Sequence, residues 1–209
     1  MKKKNFFISF EGIDGSGKST QVEILRNLNL VNMHCTCPGR QEESKLIRSL
    51  LLDKSNDWDV NTEILIHTAS RNELVAKIIR PKLEQGYHVI CDRYLDSTVA
   101  YQAYGNNQDP SLIINLHQML MGDMLPDLTF ILDLDPKISM QRIELRAGKT
   151  DRYEQKSLEF HQRVREGFLD IAQKNPQRCV VIDSMLDKKE IAQIIAKNLS
   201  DKFGLELNI

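Results

Sequence analysis

A glycine-rich run, Gly12-Ile13-Asp14-Gly15-Ser16-Gly17-Lys18-Ser19, lies between an apolar segment and a stretch with helical spacing. The pattern Gly12-x-x-x-x-Gly17-Lys18-Ser19 is that of a loop that cradles nucleotide phosphates. Its glycines let the backbone curl and approach phosphate closely. Its N–H groups and the following helix N-terminus offer positive partial charge. In this chemistry Lys18 bridges the β- and γ-phosphates of a nucleoside triphosphate, Ser19 places its hydroxyl on Mg²⁺, and Thr20 follows toward the α-phosphate. A plain glycine turn before a helix is the competing reading, but it does not require Lys-Ser in register. Asp14 inside the loop repels phosphate unless it meets a cation, a sugar hydroxyl or an arginine; otherwise it is solvated.

Further polar residues supply a candidate acceptor side. Asp92-Arg93 follows the apolar run Tyr87–Cys91. The carboxylate suits Mg²⁺, directly or through water, and the guanidinium suits a phosphate. A helix cap and a surface salt bridge are the plainer roles. Arg71 interrupts a partly apolar helix, with His67 one turn earlier on the same face. Together they fit a flat ring near a base and a cation for its phosphate; an exposed arginine and a buried structural histidine compete. Tyr101 and Gln102 offer a wall and an amide for sugar and base, or ordinary helix packing. Arg142, Arg146, Lys149 and Arg152 cluster where the apolar pattern lapses. As a closing lid at about 142–153 they would bring positive charge onto a transferring phosphoryl group and exclude water. As a solvated loop they would do neither.

These groups need a scaffold that gathers them at one edge. Short apolar runs predict strands at Phe6–Phe10, Val31–Cys35, Tyr87–Cys91, Leu128–Leu134 and Cys179–Ile182. Three- and four-residue spacing predicts helices over Lys18–Leu30, Ser44–Leu52 and Asp57–Leu83, with Pro81 marking a break. Leu46, Ile47, Leu50 and Leu51 read as the buried side of the second of these helices. Further helices are expected over Ser97–Tyr104, from Asp109-Pro110 to Leu120, from Pro136 to Leu145, over Glu154–Lys174 and over Lys188–Phe203. Alternating strand and helix gives an α/β, doubly wound, mostly parallel five-stranded sheet with helices on both faces. Sites in such sheets lie beyond the carboxyl ends of the strands, which puts the glycine loop and Asp92-Arg93 together.

The 209 residues suit one domain, 1–209. Apolar residues make up 41% and charged residues 27%, enough for a real core. A balance of 28 Lys+Arg against 29 Asp+Glu argues against nucleic acid as a partner. Lys2–Lys4 and Phe6–Ile8 superficially suggest a signal peptide, but Glu11 and Asp14 break the apolar run. No membrane partner is expected, and the cytoplasm is the expected compartment. Cys35, Cys37, Cys91 and Cys179 lack zinc-site spacing.

Several pieces in order resemble the thymidylate kinase family over Phe7–Leu199: Phe10–Thr20, Ile47–Leu52, Ala69-Ser70-Arg71, Asp92-Arg93-Tyr94 with Ser97, Ala100-Tyr101-Gln102, Pro126–Thr129 and Asp151–Glu154. The resemblance implies a P-loop kinase fold, usually a homodimer, with ATP and dTMP as substrates and Mg²⁺ as the metal. It implies that Arg71 and Arg93 bind the dTMP phosphate, that Gln102 contacts thymine, and that Tyr101 lies against C2′. Asp14 is implied near the 3′-hydroxyl and metal. Gly15-Ser16 stand where some members carry a catalytic arginine, so the resemblance is to the bacterial class with that arginine in the lid: Arg146, with Arg152 and Lys149 as the other candidates.

Two departures bear on the acceptor. Thr36-Cys37 stand where the family often has Arg-Glu, and His67 stands where it often has a stacking phenylalanine. A histidine ring is smaller and titrates near neutral pH. A kinase for another nucleotide or deoxynucleoside, and a nucleotide-binding regulatory protein without transfer, therefore stay open at this point.

Overall fold

The computed structural model describes residues 5–28, 32–36, 42–146, 151–205 and 207. Among them five strands form one sheet in the order β2-β3-β1-β4-β5. The strands are β1 (Phe7–Glu11), β2 (Met33–Thr36), β3 (His88–Asp92), β4 (Leu128–Asp133) and β5 (Cys179–Asp183). All four pairings are parallel, with Phe10 opposite Asp92 on one side and Phe130 on the other. Parallel pairing aligns all carboxyl ends, so the loops after β1 and β3 open at the same edge.

The period-two alternation of strands divides the core between the two faces. Ile8, Phe10, Ile90, Phe130 and Leu132 pack beneath α1 (Lys18–Asn27) and α9 (Lys188–Phe203), against Leu25, Ile195 and Leu199. Phe7, Val89, Cys91 and Ile131 belong to the opposite core, with Ile64, Val99, Val164 and Phe168. Each fully buried ring contributes on the order of 1.5–3 kcal/mol. That second face carries α3 (Val60–Leu74), α5 (Leu95–Thr98), α6 (Ser111–Met121) and α8 (Leu158–Lys174). It is also the face toward which β1 turns Ser9 and Glu11, both fully buried. No helix among the described residues is long and apolar enough to cross a membrane.

Most expected elements are present, shifted by a residue or two; Val31 lies outside the described residues. The region expected as one helix over Asp57–Leu83 starts at Val60, where Asp59 accepts a bond from Asn61 N–H. A π turn, Val75–Ile79, joins α3 to α4 (Arg80–Glu84), and Arg80 N–H reaches back five residues to Val75 O. Pro81, with no N–H of its own, falls in the first turn of α4. The piece around Ser97 runs as α5, a π turn over Val99–Ala103 and a 3₁₀ turn over Tyr104–Asn106.

Two expectations are corrected. Residues 154–157 are not helical: α8 begins at Leu158, capped by Ser157, whose hydroxyl accepts from Phe160 N–H. Leu46 and Leu50 are exposed rather than buried. In α2 (Glu42–Leu52) the fully buried leucine is Leu51, while Ile47 is half-buried. The stripe is broader than the contact that α2 makes with α3.

Candidate active site

The glycine loop forms because its backbone must turn where side chains cannot follow. Gly12, Gly15 and Gly17 have φ of 129°, 74° and 92°. A Cβ at Gly12 would stand 2.4 Å from Leu132 O of β4. Gly17 ends the loop in the left-handed region, and no side chain caps the first turn of α1; uncapped amides at a helix N-terminus suit an anion. Ile13 buries its side chain and gives only its backbone to the loop. Lys18 Nζ donates to Ile13 O at 2.7 Å and Gly12 O at 3.0 Å. Burial, followed by the nearby Arg93 charge, pulls its pKa down to about 8. Thr20 lies exposed on the first turn of α1.

The loop is braced by α7 (Pro136–Leu145), which Asp135 caps. Ser139 Oγ donates to Asp14 O at 2.6 Å, and Arg142 donates to both Gly15 O and Ser184 O at 3.1 Å. Arg142 is therefore a strut tying the loop to the segment after β5, which corrects its expected place in the lid cluster. The signal in sequence is only a charge at the end of a helix; its partners lie far away along the chain.

Ser19 Oγ donates to Asp92 Oδ2 at 2.7 Å. Among the described residues no group of three or more His, Cys, Asp or Glu could hold a metal. One hydroxyl and one carboxylate instead suit Mg²⁺, which keeps waters and shares phosphate oxygens rather than entering an all-protein cage.

Arg93 occupies the left-handed region, φ 69°, immediately after β3. The strain is held by its N–H bond to Phe10 O and by a dense set of side-chain bonds. Its guanidinium donates to Asp14 Oδ1 at 2.6 Å, Ser97 Oγ at 2.9 Å and Gly12 O at 3.0 Å. Burial works against the Arg93 charge, but Asp14 outweighs it and its pKa rises further. Burial likewise favours protonated Asp14, yet Arg93 and Lys18 hold that carboxyl well below its usual range. Tyr101 donates its hydroxyl to Asp14 Oδ2 at 2.8 Å. The carboxylate thus meets an arginine, one of the partners expected for it, immediately after the neighbouring strand β3.

Beneath this pair Glu11 accepts from Tyr94 N–H at 2.7 Å and Ser97 Oγ at 2.5 Å. Burial, then Asp96, pushes its pKa up to about 7. Asp96 in turn meets Arg178 at 2.6 Å.

A cavity opens beside Arg93, and its lining includes Asp14, Arg48, His67, Arg71, Asp92, Tyr101, Gln102, Asp151 and Tyr153. Arg71 is 2% exposed. Its Nη1 donates to Thr98 Oγ1 at 2.7 Å, and Nε and Nη2 have no partner. Burial lowers its pKa to about 10, which leaves it charged at neutral pH. His67 Nε2 lies 3.1 Å from the Tyr153 hydroxyl. Burial first, then Arg71, lowers the His67 pKa to about 3, so the ring is neutral. This corrects the expectation that it titrates near pH 7.

The basic residues expected in the lid part company. Arg146, at the end of α7 and 56% exposed in its side chain, donates to Glu154 Oε1 at 2.5 Å. Arg152 is half-buried against Glu63 of α3. Lys149, like Cys37 of the altered Thr36-Cys37 pair, lies outside the described residues. Glu63 also accepts from the Tyr153 hydroxyl at 3.2 Å and from Gln102 Nε2 at 3.3 Å. Sequence reasoning missed Glu63, Tyr153, Glu11 and Ser97 as site-building groups. An acidic residue in the first turn of a helix reads as favourable for the helix dipole, which conceals Glu63.

Known proteins are similar to this chain. The family model described as Thymidylate kinase matches residues 10–195. The thymidylate kinase of Magnetococcus marinus is 40% identical over 202 residues, covering 94% of this chain and 96% of that protein. That of Caulobacter vibrioides is 40% identical over 207 residues, covering 97% and 99%. The crystal structure of thymidylate kinase from Ehrlichia chaffeensis is 40% identical, covers 94% of this chain and 98% of that one, and superposes with a TM-score of 0.75. The family relationship implies use of ATP and Mg²⁺. A phosphate loop facing an arginine-lined cavity across a shared sheet edge, carried on a sequence this similar, has one reading: the chain belongs to the thymidylate kinase family.

Proposed function

We propose that this protein transfers the γ-phosphoryl group of ATP to dTMP, releasing ADP and dTDP, with the residues named above in the following roles. The observation that carries the reading is the contact between Arg93 and Asp14, which joins the phosphate loop to the cavity. It supports an acceptor phosphate bound on the cavity side next to donor phosphates on the loop side.

The loop amides of Gly12–Thr20 and the Lys18 ammonium hold the β- and γ-phosphates. Ser19 and Asp92 would hold Mg²⁺, which supplies charge neutralisation to the donor phosphates when bound. Arg93 orients the acceptor phosphate, and Arg71 offers Nε and Nη2 to an acceptor oxygen. The neutral His67 ring and Tyr101 give flat walls, and Gln102 an amide, for the nucleoside. A phosphate oxygen is already nucleophilic near pH 7, so positioning and electrostatics do the catalysis. Arg146, at the end of α7, brings its positive charge to the transferring group, and Arg152 is held to α3 through Glu63.

A homodimer is part of the proposal. Leu46, Leu50, Leu65, Met119 and Leu120 are exposed on α2, α3 and α6, which pack side by side. An apolar face of this kind suits a second copy of the chain; sedimentation velocity at micromolar concentration tests it.

The decisive experiment is an acceptor panel of dTMP, dUMP, dCMP, dGMP, dAMP and thymidine, each with ATP and Mg²⁺. dTMP is expected to give the highest kcat/KM. Turnover of another acceptor without turnover of dTMP would overturn the proposal.

A further inference from the structure

Glu63 is 5% exposed, accepts from three donors and has itself no part in the transfer described above. Its Oε1 accepts from Arg152; its Oε2 accepts from the Tyr153 hydroxyl and from Gln102 Nε2. An ionised carboxylate only accepts, so each neighbour must turn a donor toward it. For arginine and tyrosine that demand changes little. For Gln102 it has a consequence, because a side-chain amide has a donor end and an acceptor end that otherwise exchange by a simple flip. Turning Oε1 of Gln102 toward Glu63 would set two acceptors against each other in a buried place, where an unmade hydrogen bond is most costly.

Gln102 lines the acceptor cavity. The phosphate end of that cavity is fixed by Arg93, bonded to Gly12 O and Asp14. The other end, toward α3 and residues 151–153, is where His67, Gln102 and Tyr153 meet, and a nucleoside monophosphate lying along the cavity puts its base there. Thymine and uracil present a donor N3–H beside the acceptor O4. Cytosine presents an acceptor N3 beside the donor N4 amino group. A free glutamine amide serves either pair by flipping; a locked one serves only one.

We infer that Glu63 is a positioning residue that locks the polarity of the Gln102 amide and thereby makes the cavity select thymine or uracil over cytosine. The inference rests on the dTMP reading above and adds the source of its base selectivity. The same carboxylate ties down Arg152 and Tyr153, so the lid segment and the base reader share one anchor.

The test compares kcat/KM for dTMP, dUMP and dCMP at saturating ATP and Mg²⁺ in the parent and in Glu63→Gln, which keeps the shape and frees the flip. The dTMP-to-dCMP ratio is expected to fall at least about tenfold, through KM rather than kcat. In a Gln102→Ala background the same Glu63→Gln change should leave the ratio within about twofold. An unmoved ratio in a folded Glu63→Gln protein, or an equal fall in the Gln102→Ala background, overturns the inference. Should Glu63→Gln fail to fold by circular dichroism, Glu63→Gln/Arg152→Met removes the stranded guanidinium and is judged by the same ratio. In the parent protein, binding of dCMP as tight as that of dTMP and dUMP is incompatible with a locked amide and also overturns the inference. Absence of dTMP turnover in the parent would instead sink the dTMP reading, whereas a ratio unmoved in an enzyme that does phosphorylate dTMP sinks only the role of Glu63.

Discussion

Replacing Asp14 by asparagine keeps the shape of the phosphate loop and removes one charge from its contact with the acceptor cavity. The carboxylate accepts from Arg93 at 2.6 Å and from Tyr101 at 2.8 Å. A charge-assisted bond of this kind is worth about 1.5–3 kcal/mol. The side chains of Arg93 and Asp14 are 24% and 25% exposed, so solvent screening puts the pair at the lower end, about 1.5 kcal/mol. Weakening the Tyr101 bond adds about 1 kcal/mol. If both losses appear as misplacement of Arg93, kcat/KM for dTMP falls by roughly 10- to 100-fold, since about 1.4 kcal/mol is a factor of ten. Lys18 and the loop amides remain, so KM for ATP should change by less than about threefold. Steady-state kinetics with each substrate varied in turn would measure both. The Asp14 carboxyl is held below its unfolded value of 3.8. Its contribution is present above that pH and lost only as pH falls through the lower folded value, so the defect should be the same from pH 6 to 8. A variant with unchanged kcat/KM for dTMP and a lowered melting temperature would refute the reasoning, because the pair would then merely stabilise the loop.

Arg146→Ala should cut kcat by about 100- to 1,000-fold. Stability should change by less than about 1 kcal/mol, because the Arg146–Glu154 pair is exposed on the arginine side; equal turnover in mutant and parent would remove Arg146 from the transfer step. Glu11 has its pKa raised by burial from 4.5 to about 7. Its contribution is therefore complete below the unfolded value and lost as pH rises through about 7, a change of about 3 kcal/mol over that window. Glu11→Gln should flatten this loss, so urea midpoints from pH 4.5 to 8 should diverge between variant and parent; parallel curves would count against it. Gly12→Ala forces a Cβ to 2.4 Å from Leu132 O at a φ of 129°, so it should abolish ATP binding or folding, seen by nucleotide titration and circular dichroism.

Much of this protein is legible in local sequence. The glycine spacing and its place between strand and helix specify the phosphate loop, because three positive φ angles within six residues admit little else. The short apolar runs Phe6–Phe10 and Leu128–Leu134 specify strands buried on both faces. Lys188–Phe203 has the same bounds in sequence and in structure because Asp187 and Glu190 form a capping box at one end and Gly204 ends the helix in the left-handed region. Where two packings satisfy one pattern, the pattern misleads. Leu46 and Leu50 carry a helical apolar stripe, yet the fold leaves that side of α2 exposed.

The pairings that make the site were decided by tertiary structure alone. Asp14 and Arg93 are 79 residues apart, Glu63 and Arg152 are 89 apart, and Gly15 and Arg142 are 127 apart. The sequence by itself determined the phosphate loop, the alternating strands and helices, and the set of charged residues available to a site. Only the folded chain decided which of those charges meet, because hydrogen bonding depends on separation in space, and parallel strands bring distant segments to one edge in a way no local pattern records.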